Sequence, residues 1–174
     1  MNHTVLRYPA VWLAAGLIVG LAVGGLWPHT PLHAVATDRA ETFAIATGAV
    51  DDETEAIYFL DFLTGQLRAA VLGYQTGRFM AFYEHNVLED LAVEPGRRPQ
   101  FLMVTGLVDL QRGVARMRPS RSVVYVAEVN SGRIAAYAIP WSPSAHRAGQ
   151  TFSGGFIPLD ATQFRTAPIR PATD

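Results

Sequence analysis

Residues 56–82 read AIYFLDFLTGQLRAAVLGYQTGRFMAF, from Ala56 to Phe82, and this stretch decides the fold. Three short apolar runs are joined by two Thr-Gly pairs, Thr64-Gly65 and Thr76-Gly77. Tyr58, Phe59, Phe62, Val71, Phe79 and Phe82 are aromatic or β-branched, side chains that pack well on a pleated surface. Glycine supplies the positive φ that a tight connection needs, and a threonine hydroxyl bonds nearby backbone, so each pair predicts a hairpin between antiparallel strands. A helix is the poorer reading, because glycine interrupts every window of helical length.

Working outward, Thr42 to Val50 predicts a preceding strand and Asp51 to Glu55 (DDETE) an acidic turn. Beyond the stretch, HNVLEDLAVEPG predicts a short helix or helical turn, with Asn86 as cap and Pro95-Gly96 as stop. The pattern then recurs. Phe43, Thr47, Gly48, Val50 and Asp51 match Phe101, Thr105, Gly106, Val108 and Asp109 at an offset of 58. Tyr58, Asp61, Thr64, Gly65, Leu67 and Ala69 match Tyr125, Glu128, Ser131, Gly132, Ile134 and Ala136 at an offset of 67. TGRFMAF from Thr76 is echoed by SGGFIPL from Ser153. Insertions confined to loops are what a duplicated fold predicts. The expected fold class is mainly β with one N-terminal transmembrane helix, its body two four-stranded antiparallel meanders, residues 42–83 and 100–159. The pair is either sandwich-like within one chain or blade-like, with several chains pooling their sheets.

The anchor is read from Tyr8 to Trp27, 20 residues without a charge. At about 1.5 Å per residue that run matches the roughly 30 Å hydrocarbon core of a bilayer. Tyr8, Trp12 and Trp27 suit the two interfaces, and Pro28 stops the helix. Arg7 precedes the span and uncharged PHTPLHAVAT follows it, so the positive-inside rule places the N-terminus in the cytoplasm. Ala34-Val35-Ala36 also fits a signal-peptidase site, but the apolar run is long for a cleaved leader, and a signal anchor is the favoured reading. Gly16, Gly20 and Gly24 recur every four residues along one face, where another transmembrane helix, of the same or a different chain, can approach closely. The expected layout is residues 1–7 cytoplasmic, 8–27 transmembrane, 28–41 linker, 42–159 exported duplicated β domain and 160–174 tail. The chain is thereby expected in an inner membrane, single-pass, with a periplasmic C-terminal domain.

Composition narrows the chemistry. The 174 residues include no cysteine, which removes disulfide frameworks, thiolate metal sites and cysteine nucleophiles. From residue 37 on, 13 arginines face 15 carboxylates, about −2 in all, which gives no general attraction to nucleic acid. His3, His29, His33, His85 and His146 form no HExxH or HxH, and no GxSxG surrounds a serine. No catalytic, cofactor-binding or metal-binding residue is assigned.

Two polar features remain. Asp61 and Glu128 are repeat-equivalent acids, each three residues after a tyrosine and four before a glycine. In one cleft they would have the chemistry of a carboxylate-dependent hydrolase, whereas each accepting backbone N–H bonds at its own hairpin makes them structural turn acids, the reading preferred. The loop QRGVARMRPSR carries Arg112, Arg116, Arg118 and Arg121, candidate contacts for a partner or an anion, opposite the acidic DDETE of the first half. A solvated loop is the plainer alternative.

The four-strand meander with its Tyr-x-x-Asp/Glu-x-x-Thr/Ser-Gly step resembles a blade of a quinoprotein-like β-propeller, and that likeness implies architecture only. WPHTPLHAVATDR followed by FLDFLTGQLRAAVL is similar to uncharacterised single-span bacterial membrane proteins, a likeness that implies the layout and no activity. The expected function is a membrane-anchored, non-catalytic accessory or structural subunit of an oligomer or multisubunit membrane complex. The alternative is a small-molecule-binding or sensing domain, with a hydrolase behind both.

Overall fold

The computed structural model describes residues 12–18, 20, 37–94, 96, 98–110 and 118–165. The chain forms two compact units, Met1–His33 and Ala34–Asp174. In the first unit, residues 12–18 are helical (α1) and expose Trp12, Leu13, Leu17 and Ile18. Among the described residues no helix is long and apolar enough to cross a membrane. Most of the span expected over 8–27, with the cytoplasmic segment 1–7 and the linker up to residue 36, lies outside the described residues.

The second unit is mainly β. Strands β1 (Thr37–Arg39), β2 (Phe43–Ala49), β3 (Glu55–Asp61), β4 (Gln66–Leu72) and β5 (Phe79–Asn86) precede β6 (Phe101–Leu107), β7 (Arg118–Pro119) and β8 (Ser122–Glu128). After them come β9 (Arg133–Ala138), β10 (Pro140–Trp141), helix α2 (Pro143–Arg147), β11 (Phe152–Gly155) and β12 (Ile157–Gln163). One sheet runs β1-β2-β3-β4-β5-β11, a second β12-β9-β8-β6, and β10 pairs with β7. All pairings are antiparallel except that of β11 with β5.

Local chemistry accounts for these elements. Gly65 and Gly132 close equivalent hairpins at φ 68° and 72°, where a residue with a Cβ is strained. Helix α2 starts on Ser142, whose side chain accepts the Ala145 N–H, and Pro143 follows with its φ already helical. Asn86 Oδ1 accepts the Leu88 N–H at 3.0 Å, and residues 88–92 form a turn rather than a helix. Val87, just before that turn, and Leu91 within it enter the core.

The repeat offsets hold bond by bond. Val50 N–H donates to the Thr54 carbonyl and Val108 N–H to that of Arg121, each at 2.8 Å. Phe62 N–H donates to Thr42 O and Val129 N–H to Gln100 O, again at 2.8 Å. Phe43 opposes Asp61 as Phe101 opposes Glu128, and Tyr58 opposes Ala69 as Tyr125 opposes Ala136.

Three boundaries move. Strand β5 runs to Asn86 rather than ending at residue 83, and β12 runs through the expected tail boundary to Gln163, because Asp160–Gln163 keep pairing with β9. Ser153, expected to open the fourth strand of the second half, instead belongs to β11 in the first sheet, held parallel to β5 by register partners Ala81–Glu84. Only from Ile157 does the chain return to the second sheet.

Tyr58, Leu60, Leu67 and Val71 of the first sheet and Phe101, Val124, Val126 and Tyr137 of the second lie in one buried cluster, joined by Ile139 and Phe156. Each such side chain contributes roughly 1.5–3 kcal/mol on burial. The sheets come closest at β2 and β6, where Ala44, Ala46 and Gly48 keep the β2 surface low.

Candidate functional site

The two turn acids occupy the ends of β3 and β8. Asp61 Oδ1 accepts the N–H groups of Leu63 (2.8 Å) and Thr64 (3.3 Å). Glu128 is buried; its Oε2 accepts Ser131 N–H at 2.7 Å, and its Oε1 accepts Asn130 Nδ2 at 2.7 Å and Gln100 N–H at 3.4 Å. The Leu63 N–H holds the Asp61 carboxyl below the ordinary carboxylate range. For Glu128, burial pushes the value up, but the donors from Ser131, Asn130 and Gln100 outweigh it and leave it lowered. A general acid needs a raised value, so neither carboxyl is tuned for proton donation near neutrality.

The cationic loop reaches its acidic counterpart within the chain. Arg121 forms an ion pair with Asp52, and its N–H donates to Val50 O at 3.1 Å. Arg147 lies 3.9 Å from Glu53. Arg118 is exposed at the start of β7, opposite Trp141, whose Nε1 donates to Asp51 Oδ2 at 2.7 Å. Arg112 and Arg116 lie outside the described residues. On the helix, a Cβ added to Gly16 or Gly20 would meet no atom within 4 Å, and Gly24 lies outside the described residues.

The two described histidines, His85 and His146, do not cluster. His85 Nε2 and Asp90 Oδ2 are 2.6 Å apart, and the same oxygen accepts the Tyr137 hydroxyl at 2.9 Å. The His146 ring packs at a tilt against both Trp141 and Tyr74. His3, His29 and His33 lie outside the described residues. Among the described residues no group of three His, Asp or Glu is placed to hold a metal ion.

The most extensive feature is apolar. The outward rows of the first sheet carry Ile45 and Phe59 in one register line and Ile57, Ala70 and Phe82 in the next. Phe43 stacks on Phe59 at 5.1 Å. Ile45, Ile57, Phe59, Ala70 and Phe82 line a depression of about 780 Å3, bordered by Arg68 and Glu84 and by Ser153 and Gly155 of β11. The second sheet likewise turns Leu102, Val104, Tyr125, Ala127 and Ile134 outward. Both sheets thus leave large apolar side chains exposed on their outward faces.

The two outward faces are not equivalent. Under the offsets 58 and 67, exposed Ile57 (40 %) and Phe59 (36 %) correspond to Val124 and Val126, both fully buried. Conversely, Val104 (54 %) and Leu102 (48 %) correspond to buried Ala46 and Ala44, and partly buried Tyr125 to fully buried Tyr58. Ala56 with Val123 and Val71 with Ala138 depart from this, being buried in both halves. Across the central rows, the face each half buries is the one the other half presents.

Sequence reasoning passed over these faces, although a signal was there. AIYFL in β3 and FLMV in β6 are apolar at both parities, the composition of a strand covered on two sides. No protein-family model matches this chain, and neither does a curated protein or a solved structure.

Proposed function

We propose that the chain is a membrane-anchored, non-catalytic subunit of a membrane complex, its β domain lying on the outer, periplasmic face. The observation that carries this reading is the pair of outward apolar sheet faces, Ile45, Ile57, Phe59 and Phe82 on one and Leu102 and Val104 on the other. Such surface costs free energy in water and is kept where another protein covers it. The uncharged run Tyr8–Trp27 supplies the anchor and its glycine face a contact for neighbouring helices. The domain is then a pair of propeller-blade-like sheets, and the likeness to single-span bacterial proteins agrees with the layout.

The test is affinity purification of the intact chain from its own membranes in mild detergent, with mass spectrometry of what co-purifies. A partner or a second copy in stoichiometric amount is expected. A monomer that returns no partner overturns the reading.

The depression favours a second reading, an apolar small-molecule site over Ile57, Phe59 and Phe82, with Arg68 and Glu84 as polar guides. Native mass spectrometry of the purified chain separates the two, since a retained small molecule on a monomer supports only the second.

A further inference from the structure

Two sheets that packed like on like, around a two-fold axis, would bury the same repeat positions in both halves. Here the buried positions are opposite. The first sheet contributes the face bearing Ala46 and Tyr58, and the second contributes the face equivalent to Ile57 and Phe59. That is a head-to-tail relation, as between successive propeller blades, and a pair related in this way leaves one unlike face free at each end. Each free face is the repeat-equivalent of a face already buried in the core.

We propose that these two faces are occupied by further copies of this chain, the free face of the first sheet of one copy lying on the free face of the second sheet of the next. Two, three or four chains would close a ring of four, six or eight blades, within the usual range of about 4–8. The internal contacts say what the contact between copies contains. Thr105 donates its hydroxyl to Thr47 O at 2.6 Å, and Thr47, on the free face, is set to do the same to Thr105 O of a neighbouring copy. A Cβ on Gly48 would stand 2.7 Å from that of Ser122. The offsets translate this pair into Gly106 of one copy against Glu55 of the next. The equivalence is closest at β2 and β3 against β6 and β8. Toward the outer strands Arg68 and Glu84 stand where the core has Ala135 and Ala161, and their opposite charges face each other in register.

The inference stands on the β body alone and does not rest on the anchor or on an accessory role. The chain has no cysteine, so introduced thiols are the only ones. Full-length E55C and G106C are purified separately in mild detergent, mixed and oxidised. The head-to-tail contact brings these two positions together between unlike variants only, and the 2.7 Å separation of the equivalent internal pair has to open by about 1 Å to reach the roughly 3.5–4.5 Å between Cβ atoms that a disulfide spans. The expected result is an E55C–G106C dimer from the mixture, with neither variant dimerising alone, and loss of that dimer when I57R is added to E55C. Ile57 is exposed, so I57R is expected to leave the melting temperature of the isolated chain unchanged. E55C with Y125C, joined by a short bismaleimide, repeats the test without touching the glycine, because Tyr125 and Glu55 are the equivalents of the hydrogen-bonded Tyr58 and Ser122.

Absence of the mixed product in both pairs, self-dimers of one variant, or a cross-link that survives I57R overturns the proposal. So does a monomer carrying a small molecule on this face. A foreign subunit recovered without the mixed product would support the accessory reading while overturning this one.

Discussion

Thr105 donates its hydroxyl to the carbonyl of Thr47 across 2.6 Å, and the two are the same residue of successive repeats. The bond bridges β6 and β2, the strands at which the two sheets come closest. Thr105→Val keeps the shape and removes the donor, so unfolding by urea is expected to become easier by about 1 kcal/mol. Thr47→Val touches a side chain on the outward face and is expected to change the stability of the isolated chain by less than about 0.5 kcal/mol. Equal effects of the two would show that the hydroxyls are not in unlike settings.

Gly48 and Gly106 make a second matched pair with unlike surroundings. A Cβ on Gly48 would lie 2.7 Å from Ser122 Cβ and 2.9 Å from its Oγ, beside the 2.7 Å bond from Tyr58 to Ser122. Overpacking there is expected to cost Gly48→Ala about 1–3 kcal/mol, read as a lowered melting temperature. A Cβ on Gly106 meets only the Tyr125 ring edge, at 3.3 Å. Gly106→Ala is therefore expected to be nearly neutral in the isolated chain, the reduced freedom of the unfolded backbone offsetting a small crowding.

Strands and turns were legible because their causes are local. Thr64-Gly65 and Ser131-Gly132 name hairpins wherever the chain goes next, and constant offsets need only that insertions fall in loops. What could not be read is nonlocal. Nothing within FSGG says that it pairs with β5 of the other half, since the cause is an edge left open more than sixty residues earlier. Nor do the motifs say which face of each meander is inward: β3 is apolar at both parities, so period-two patterning cannot choose. The Asp90 contact with His85 and Tyr137 joins β5, a turn and β9, and no short motif carries such a cluster. The outward apolar face of the first sheet is nonlocal in the same way, being made of single residues taken from four strands.

The turn acids give a pH dependence with a definite sign. Asp61 and Glu128 have folded values below their unfolded ones, so between the two the unfolded chain binds more protons. Their contribution is fully present above the ordinary carboxylate value of about 4 and is lost as pH falls through the folded values. Urea midpoints measured across that range are expected to drop on acidification. Glu128→Gln keeps the size but not the charged acceptor; it is expected to lose about 1–3 kcal/mol at neutral pH and to flatten the acid limb. The same change at Asp61, which is less buried than Glu128, is expected to matter less, because solvent shares its hydrogen bonds.

The buried tyrosines act at the opposite end of the scale. Burial raises the Tyr58, Tyr83 and Tyr137 hydroxyls above the usual tyrosine value, and at Tyr137 the bond to Asp90 adds to burial. Each is bonded where it sits, Tyr58 to Ser122, Tyr83 to the Pro140 carbonyl at 2.8 Å, and Tyr137 to Asp90. Above about pH 10 the unfolded chain gives up protons that the folded chain keeps, so stability falls as pH rises past that value. A spectrophotometric titration is expected to show these three ionising only together with unfolding, as a cooperative step that urea moves to lower pH. Tyr137→Phe should remove one tyrosine from that step and cost about 1 kcal/mol near neutrality, because it leaves Asp90 with His85 alone. Gradual ionisation of all three with the fold intact would mean that solvent reaches the Tyr58–Ser122 and Tyr137–Asp90 bonds, and that the two sheets are not closed over them.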